Sequence, residues 1–257
     1  MKLTIKHTLT FSLGTPSRAV QHLLLTASST PQQKIERWSI EAPGINDAAT
    51  FRDAFGNKAH LVSQVKPSES IVVTVSGVVE TIDKSGVLGK LEYDPMPALF
   101  RRPTELTKPD TSLLDAISEE GGRIALLHEL MERVHDKLAA PEQMQASGSQ
   151  SQSQSQGSDA EPVDFAHAFI GGARALGIPA RYVTGYLWDE GKASFHAWAE
   201  AWDEGLGWIG FDPMLNVCPT DQHIRLASAL DAIGAMPIRS SPVWPEMPDE
   251  VVEIIEG

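Results

Sequence analysis

Cysteine is nearly absent from this sequence. With Cys218 the single thiol in 257 residues, no intrachain disulfide can form, and a buried core must hold the fold. An excess of positive charge is absent as well. Against 34 Asp and Glu stand 21 Lys and Arg, a formal charge of -13, and long-range repulsion argues against nucleic acid or an anionic membrane as partner. No stretch approaches the roughly 18 apolar residues of a membrane span. Lys6 and His7 interrupt the opening stretch before the apolar run of roughly 7 to 15 residues that marks a secretory leader. A soluble cytoplasmic protein is the expectation.

What is present is 42% hydrophobic residues, enough for one or two cores at roughly 100 to 200 residues per domain. The charge divides the chain: residues 1–90 hold ten Lys and Arg against seven Asp and Glu, whereas residues 91–257 hold eleven against twenty-seven. Residues 1–90 read as an N-terminal β domain. LTIKHTLTF, HLLLTAS, KIERWSIEA, HLVSQV and SIVVTVSGVVETI alternate or cluster β-branched and apolar residues, with Gly56 and Asn57 among the turn residues between them. Residues 91–122, with Pro95, Pro97, Pro103 and Pro109 and no sustained periodicity, read as a wrapped connection.

Residues 123–240 read as a second domain. Ile124, Leu127, Met131, Val134 and Leu138 recur at helical spacing. A further helix is expected from Pro162 to Leu176, with Phe165, Phe169, Gly172 and Leu176 on one face and Ser158 with Glu161 spaced as a capping box. Between them, SGSQSQSQSQGS at 147–158 has no apolar side chain and reads as a flexible loop. Strands follow at 181–187, 194–202 and 208–213, and residues 241–257 read as an acidic tail.

The densest chemistry lies on the last hairpin. If Trp202 pairs with Trp208, parity places His196 diagonally from Asp212 on one sheet face, close enough for a carboxylate to bond an imidazole. Two readings stand: a base held by its orienting carboxylate, lacking only a nucleophile, or a His–Asp contact on a Trp-rich sheet face. His128, Glu132 and His135 fall at i, i+4 and i+7 on the first helix and could converge on a metal, but the HELME stretch lacks the second His of an H-E-x-x-H motif. A solvated helix face is the better reading, and no metal or cofactor is expected.

DFAHAFIGGARALGIPARYVTGYL followed by SFHAWAEAWDEGLGWIGFDP resembles the bacterial transglutaminase-like family, within the papain-like cysteine hydrolase superfamily. FRDAFGN at 51–57 also resembles that family's N-terminal domain. The resemblance implies an α+β fold: an N-terminal antiparallel β domain, then a papain-like core whose central helix packs on an antiparallel sheet. It also implies a Cys-His-Asp triad and acyl transfer or hydrolysis at an amide. His196 and Asp212 match the last two members. The family motif C-x-D-F-A-H is met by Pro162-Val163-Asp164-Phe165-Ala166-His167, so proline stands where the thiol belongs.

Two substitutes are conceivable: Ser158, a weak nucleophile on a flexible loop, and Cys218, read as a buried unreactive thiol beyond the strand end. His167 is read as a structural histidine. The expectation is a transglutaminase-like protein that binds a peptide or protein in the groove near His196 with little or no catalysis; an active amide hydrolase or acyl transferase using Ser158 or another nucleophile is the alternative.

Overall fold

A computed structural model describes residues 1–12, 16–117, 121–140, 160–243 and 248–257. The chain opens with strands β1 (Lys2–Ser12), β2 (Arg18–Thr26), β3 (Gln33–Glu41), β4 (Ala49–Arg52), β5 (Lys58–Val65) and β6 (Ser70–Thr81). After a short β7 (Val87–Gly89) and three-residue to five-residue 3-10 turns come the helices α1 (Gly122–Ala139) and α2 (Pro162–Ala175). Strands β8 (Ala180–Asp189), β9 (Lys192–Asp203), β10 (Gly207–Phe211), β11 (His223–Ala229), β12 (Ile238–Ser241) and β13 (Asp249–Glu256) complete the fold.

The strands form three antiparallel sheets, ordered β13-β1-β6-β3, β12-β2-β5-β4 and β11-β8-β9-β10-β7. In β1 and β6 every second residue is buried, as a one-sided sheet demands. Leu3, Ile5, Leu9, Leu23, Val62, Ile71, Val73 and Val75 thus share a core between the two four-stranded sheets, and Tyr186, Ile224 and Leu226 of the five-stranded sheet join it. A second core lies between α1, α2 and the other face of that sheet. Ala197, Ala199 and Ala201 let α2 lie close on β9, and Gly172 lets it lie close on α1, where a Cβ would sit 2.8 Å from Leu130.

The α+β architecture matches the sequence expectation, and strand pairing crosses the boundaries expected at residues 90 and 241. β7 lies before residue 90 yet pairs with β10, Trp208 opposite Gly89. The expected acidic tail, 241–257, contains β13, which pairs with β1 from Leu3↔Glu256 to Thr10↔Asp249. Its acidic side chains mask a period of two: Ile254 is buried and Val252 half-buried, while Val251, Glu253 and Ile255 between and beyond them are exposed. The capping box of α2 also differs. Glu161 is the N-cap and Asp164 its partner, the Asp164 carboxylate accepting Glu161 N–H at 2.9 Å; Ser158 and the 147–158 stretch lie outside the described residues.

The open edge of β11 is closed by side chains. Gln33 accepts from Arg225 N–H at 2.7 Å and donates to Arg225 C=O at 2.8 Å. Asn57 accepts from Ser228 N–H at 2.9 Å and donates to Ser228 C=O at 2.7 Å. Two carboxamides from the N-terminal layers thus take the place of a neighbouring strand.

Candidate functional site

The β9–β10 hairpin has the expected register, Trp202↔Trp208. Its turn is set by Asp203, whose carboxylate accepts from Gly205 and Leu206 N–H. After Phe211 the chain leaves β10, and Asp212 forms an isolated bridge with Val217. There the Asp212 carboxylate is fully buried and takes four donors. Met214 and Leu215 N–H reach Oδ1 at 3.1 and 3.2 Å. His196 Nε2 reaches Oδ2 at 2.6 Å and His223 Nε2 reaches the same oxygen at 3.1 Å. Burial alone would push this carboxyl's pKa up, yet the two imidazole hydrogen bonds outweigh it and bring it down to about 2.

The sequence reading finds His196 and Asp212 but not His223. β11 lies beside β8 on the side away from β9, so His223 and His196 meet only across the middle strand. Gly185 of β8, paired with His196, makes that possible. A Cβ there would meet Ile224 O at 2.1 Å and the Trp198 ring at 2.7 Å. Trp198 occupies the space, edge-on to His223 with ring centroids 5.4 Å apart. Gly185→Ala should therefore overpack the sheet and cost about 1–3 kcal/mol in urea unfolding.

His196, Asp212 and His223 offer three ligand-type atoms within 4.8 Å of one another. Their hydrogen bonds do not fit a metal. Thr220 N–H donates to His223 Nδ1 at 3.2 Å, so the proton of this ring sits on Nε2, the atom a metal would need bare. The arrangement is a hydrogen-bonded network around a carboxylate. The other metal candidate separates: His128 is exposed and meets Phe211 edge-on, while His135 Nδ1 donates to Pro213 and Met214 carbonyls at 3.0 and 3.1 Å, bracing the turn that holds Asp212.

A cleft of about 210 Å³ is lined by Glu161, Pro162, Val163, Tyr182, Phe195, His196 and Ala197. Pro162, the first residue of α2, is thus brought to the same cleft as His196. Cys218 is elsewhere, half-buried against Gly86 at the β7 end of the sheet. Burial first, and Asp83 second, push its thiol pKa up. His167 is buried, accepts Ala232 N–H at 3.1 Å and meets the Tyr182 ring at a tilt of 37°; desolvation lowers its pKa, as suits a neutral structural ring. A larger hollow of about 490 Å³ lies between the N-terminal loops and β11, but Asp94 and Arg225 on its wall are already paired, to Arg181 and Glu200.

Those pairs explain two motif residues. Arg181 of the IPAR turn and Glu200 of the H-A-W-x-E run are both fully buried and bond at 2.5 Å; Arg225 Nε adds a second contact to Glu200 at 2.7 Å. The Arg181 guanidinium lies 3.9 Å over the Trp208 ring.

Two family models match this chain: the transglutaminase-like superfamily over residues 118–213, and the bacterial transglutaminase-like N-terminal region over residues 3–80. The chain belongs to the bacterial transglutaminase-like family. Among curated relatives, the uncharacterized protein ML0607 of Mycobacterium leprae is 25% identical, covering 93% of this chain and 92% of its own. The uncharacterized protein Rv2569c of Mycobacterium tuberculosis is 22% identical over 77% and 73%. The fold is shared with a crystal structure from Cytophaga hutchinsonii named as a candidate cysteine protease: TM-score 0.72 at 23% identity, over 99% of this chain and 90% of that one. The match to the core family ends at residue 213, so His223 and Arg225 lie beyond it.

Proposed function

We propose that this chain is a transglutaminase-like protein without the family's nucleophile, which uses the cleft beside His196 to bind a peptide or protein segment. The carrying observation is Pro162, which opens α2 and lines the cleft at the position where the family motif has cysteine. Proline supplies no nucleophile and no backbone N–H for a developing oxyanion. Among the described cleft-lining side chains the one hydroxyl is that of Tyr182, whose pKa is raised by burial and by Asp164 and Asp231, so it stays a neutral phenol. A cleft of about 210 Å³ suits one or two inserted side chains rather than a whole small-molecule ligand, for which roughly 300 Å³ or more is usual. The walls from Val163, Phe195 and Ala197 favour an apolar side chain.

One observation favours the second reading, a working amide hydrolase or acyl transferase: the His196–Asp212 pair is fully assembled. The two readings separate by assay. The purified chain should show no amidase, peptidase or amine-incorporating turnover above that of His196→Ala, and a peptide selected for binding should lose its affinity at least 10-fold in Val163→Trp, which fills the cleft. Turnover that vanishes in His196→Ala would establish the enzyme instead.

A further inference from the structure

We infer that His223 is a positioning residue for His196, holding Asp212 so that the His196 ring keeps its proton on Nε2 and offers Nδ1 as an acceptor to whatever enters the cleft. The site is the one proposed above, and the inference rests on that reading only for the identity of the occupant.

The argument begins at the 220–223 turn. His223 N–H donates to Thr220 C=O at 3.2 Å and Thr220 N–H donates to His223 Nδ1 at 3.2 Å, a reciprocal pair that fixes the ring in the Nε2–H form. That N–H points to Asp212 Oδ2 at 3.1 Å. With Met214 and Leu215 N–H on Oδ1, a carboxylate with about four acceptor positions has all of them used, the fourth by His196 Nε2 at 2.6 Å. A carboxylate filled in this way has no rotation that keeps its bonds. It can only accept from His196, so His196 Nε2 is the donor and, in the neutral ring, Nδ1 carries the lone pair. Nδ1 has no partner among the described residues, and His196 lines the cleft.

Remove His223 and one buried lone pair of Oδ2 goes unpaired in a site where Asp212 is 0% exposed. An unsatisfied buried acceptor is costly, and the carboxylate regains the freedom to turn or to recruit water. The ring of His196 then loses its fixed orientation. A residue that merely filled space would not act in this way, because its replacement by any group of similar size would leave the His196 proton where it was.

The test is nitrogen NMR of the full chain with labelled histidine. In the wild type both His196 and His223 should show the Nε2–H tautomer at neutral pH. His223→Gln, whose amide can donate from about the same place as Nε2, should leave His196 in that single form; His223→Leu should give a mixture of the two His196 tautomers. As a second readout, Pro162→Cys combined with His223→Leu should be alkylated at least 10-fold more slowly than Pro162→Cys alone, with His223→Gln restoring most of the rate. A His223 ring protonated on Nδ1 in the wild type overturns the inference, as does an unchanged His196 tautomer in His223→Leu. Should His223→Leu fail to fold, the wild-type ring assignments and His223→Gln decide the matter. Ring tautomers are read without a ligand, so a failure to find any bound peptide would count against the binding function and not against this role.

Discussion

Pro162→Cys should convert an unreactive chain into one alkylated at a single position at neutral pH. The wild type supplies a clean background, because its one thiol, Cys218, is half-buried and its pKa is raised by burial and by Asp83. The new thiol would open α2, where the helix N-terminus and a nearby imidazole both favour a thiolate. A free thiol near 8.5 is about 3% ionised at pH 7, and a shift to about 6.5 would raise that roughly 25-fold. The substitution also restores a backbone N–H that proline lacks. Against it stand the carboxylates of Glu161 and Asp164, which cap the same turn. Alkylation followed by mass spectrometry across a pH series gives the thiol's titration directly. A midpoint near about 8.5 would show that the site differs from a catalytic one by more than this position.

The largest stability loss is expected from Glu200→Gln. Glu200 and Arg181 are 0% exposed, Arg225 is nearly so, and Asp94 is the other carboxylate in the chain of ion pairs. Burial would raise the Glu200 pKa, but Arg181 and Arg225 outweigh it and hold it below the usual carboxylate range. Neutralising Glu200 leaves two guanidinium groups sharing Asp94, and breaking a buried pair from one side costs about 3–5 kcal/mol. Urea unfolding should report that loss. Glu105→Gln, which removes a solvent-exposed partner of Lys108, should change stability by less than about 1 kcal/mol. Because the Glu200 pKa is lowered on folding, its contribution is complete above the unfolded carboxylate's range and is lost only as pH falls through the lower folded value. Equal effects of the two substitutions would mean that the buried network is solvated in solution.

The sequence made part of this site legible because part of it is local. Trp202 and Trp208 flank a five-residue turn, and counting from them by twos leads to His196 and Asp212 without any knowledge of the fold. His223 is eleven residues further on, and its place depends on β11 joining the sheet beyond β8, a long-range pairing that no local period announces. The one local sign was the T-x-x-H turn, whose Thr220 N–H bond to the ring defines the tautomer. Arg225 escaped for the same reason. β13 escaped for another: charge counted along residues 241–257 hides the alternation that Val252 and Ile254 carry. The strands β1, β2, β3, β5 and β6 and both helices were readable because their apolar periods are long and sharp.

The carboxamides of Gln33 and Asn57 give the chain a mutual dependence that its two matched family regions do not suggest. Each copies the donor-and-acceptor pair of a peptide group, so β11 meets the equivalent of a neighbouring backbone at Arg225 and Ser228. A core cut free of residues 1–80 would present those same groups bare, on a strand that carries Leu226 and Ala227 from the buried interior. Such a fragment would be a template for another strand. The N-terminal layers therefore shield that edge, and they do so with two amide side chains rather than with a strand of their own.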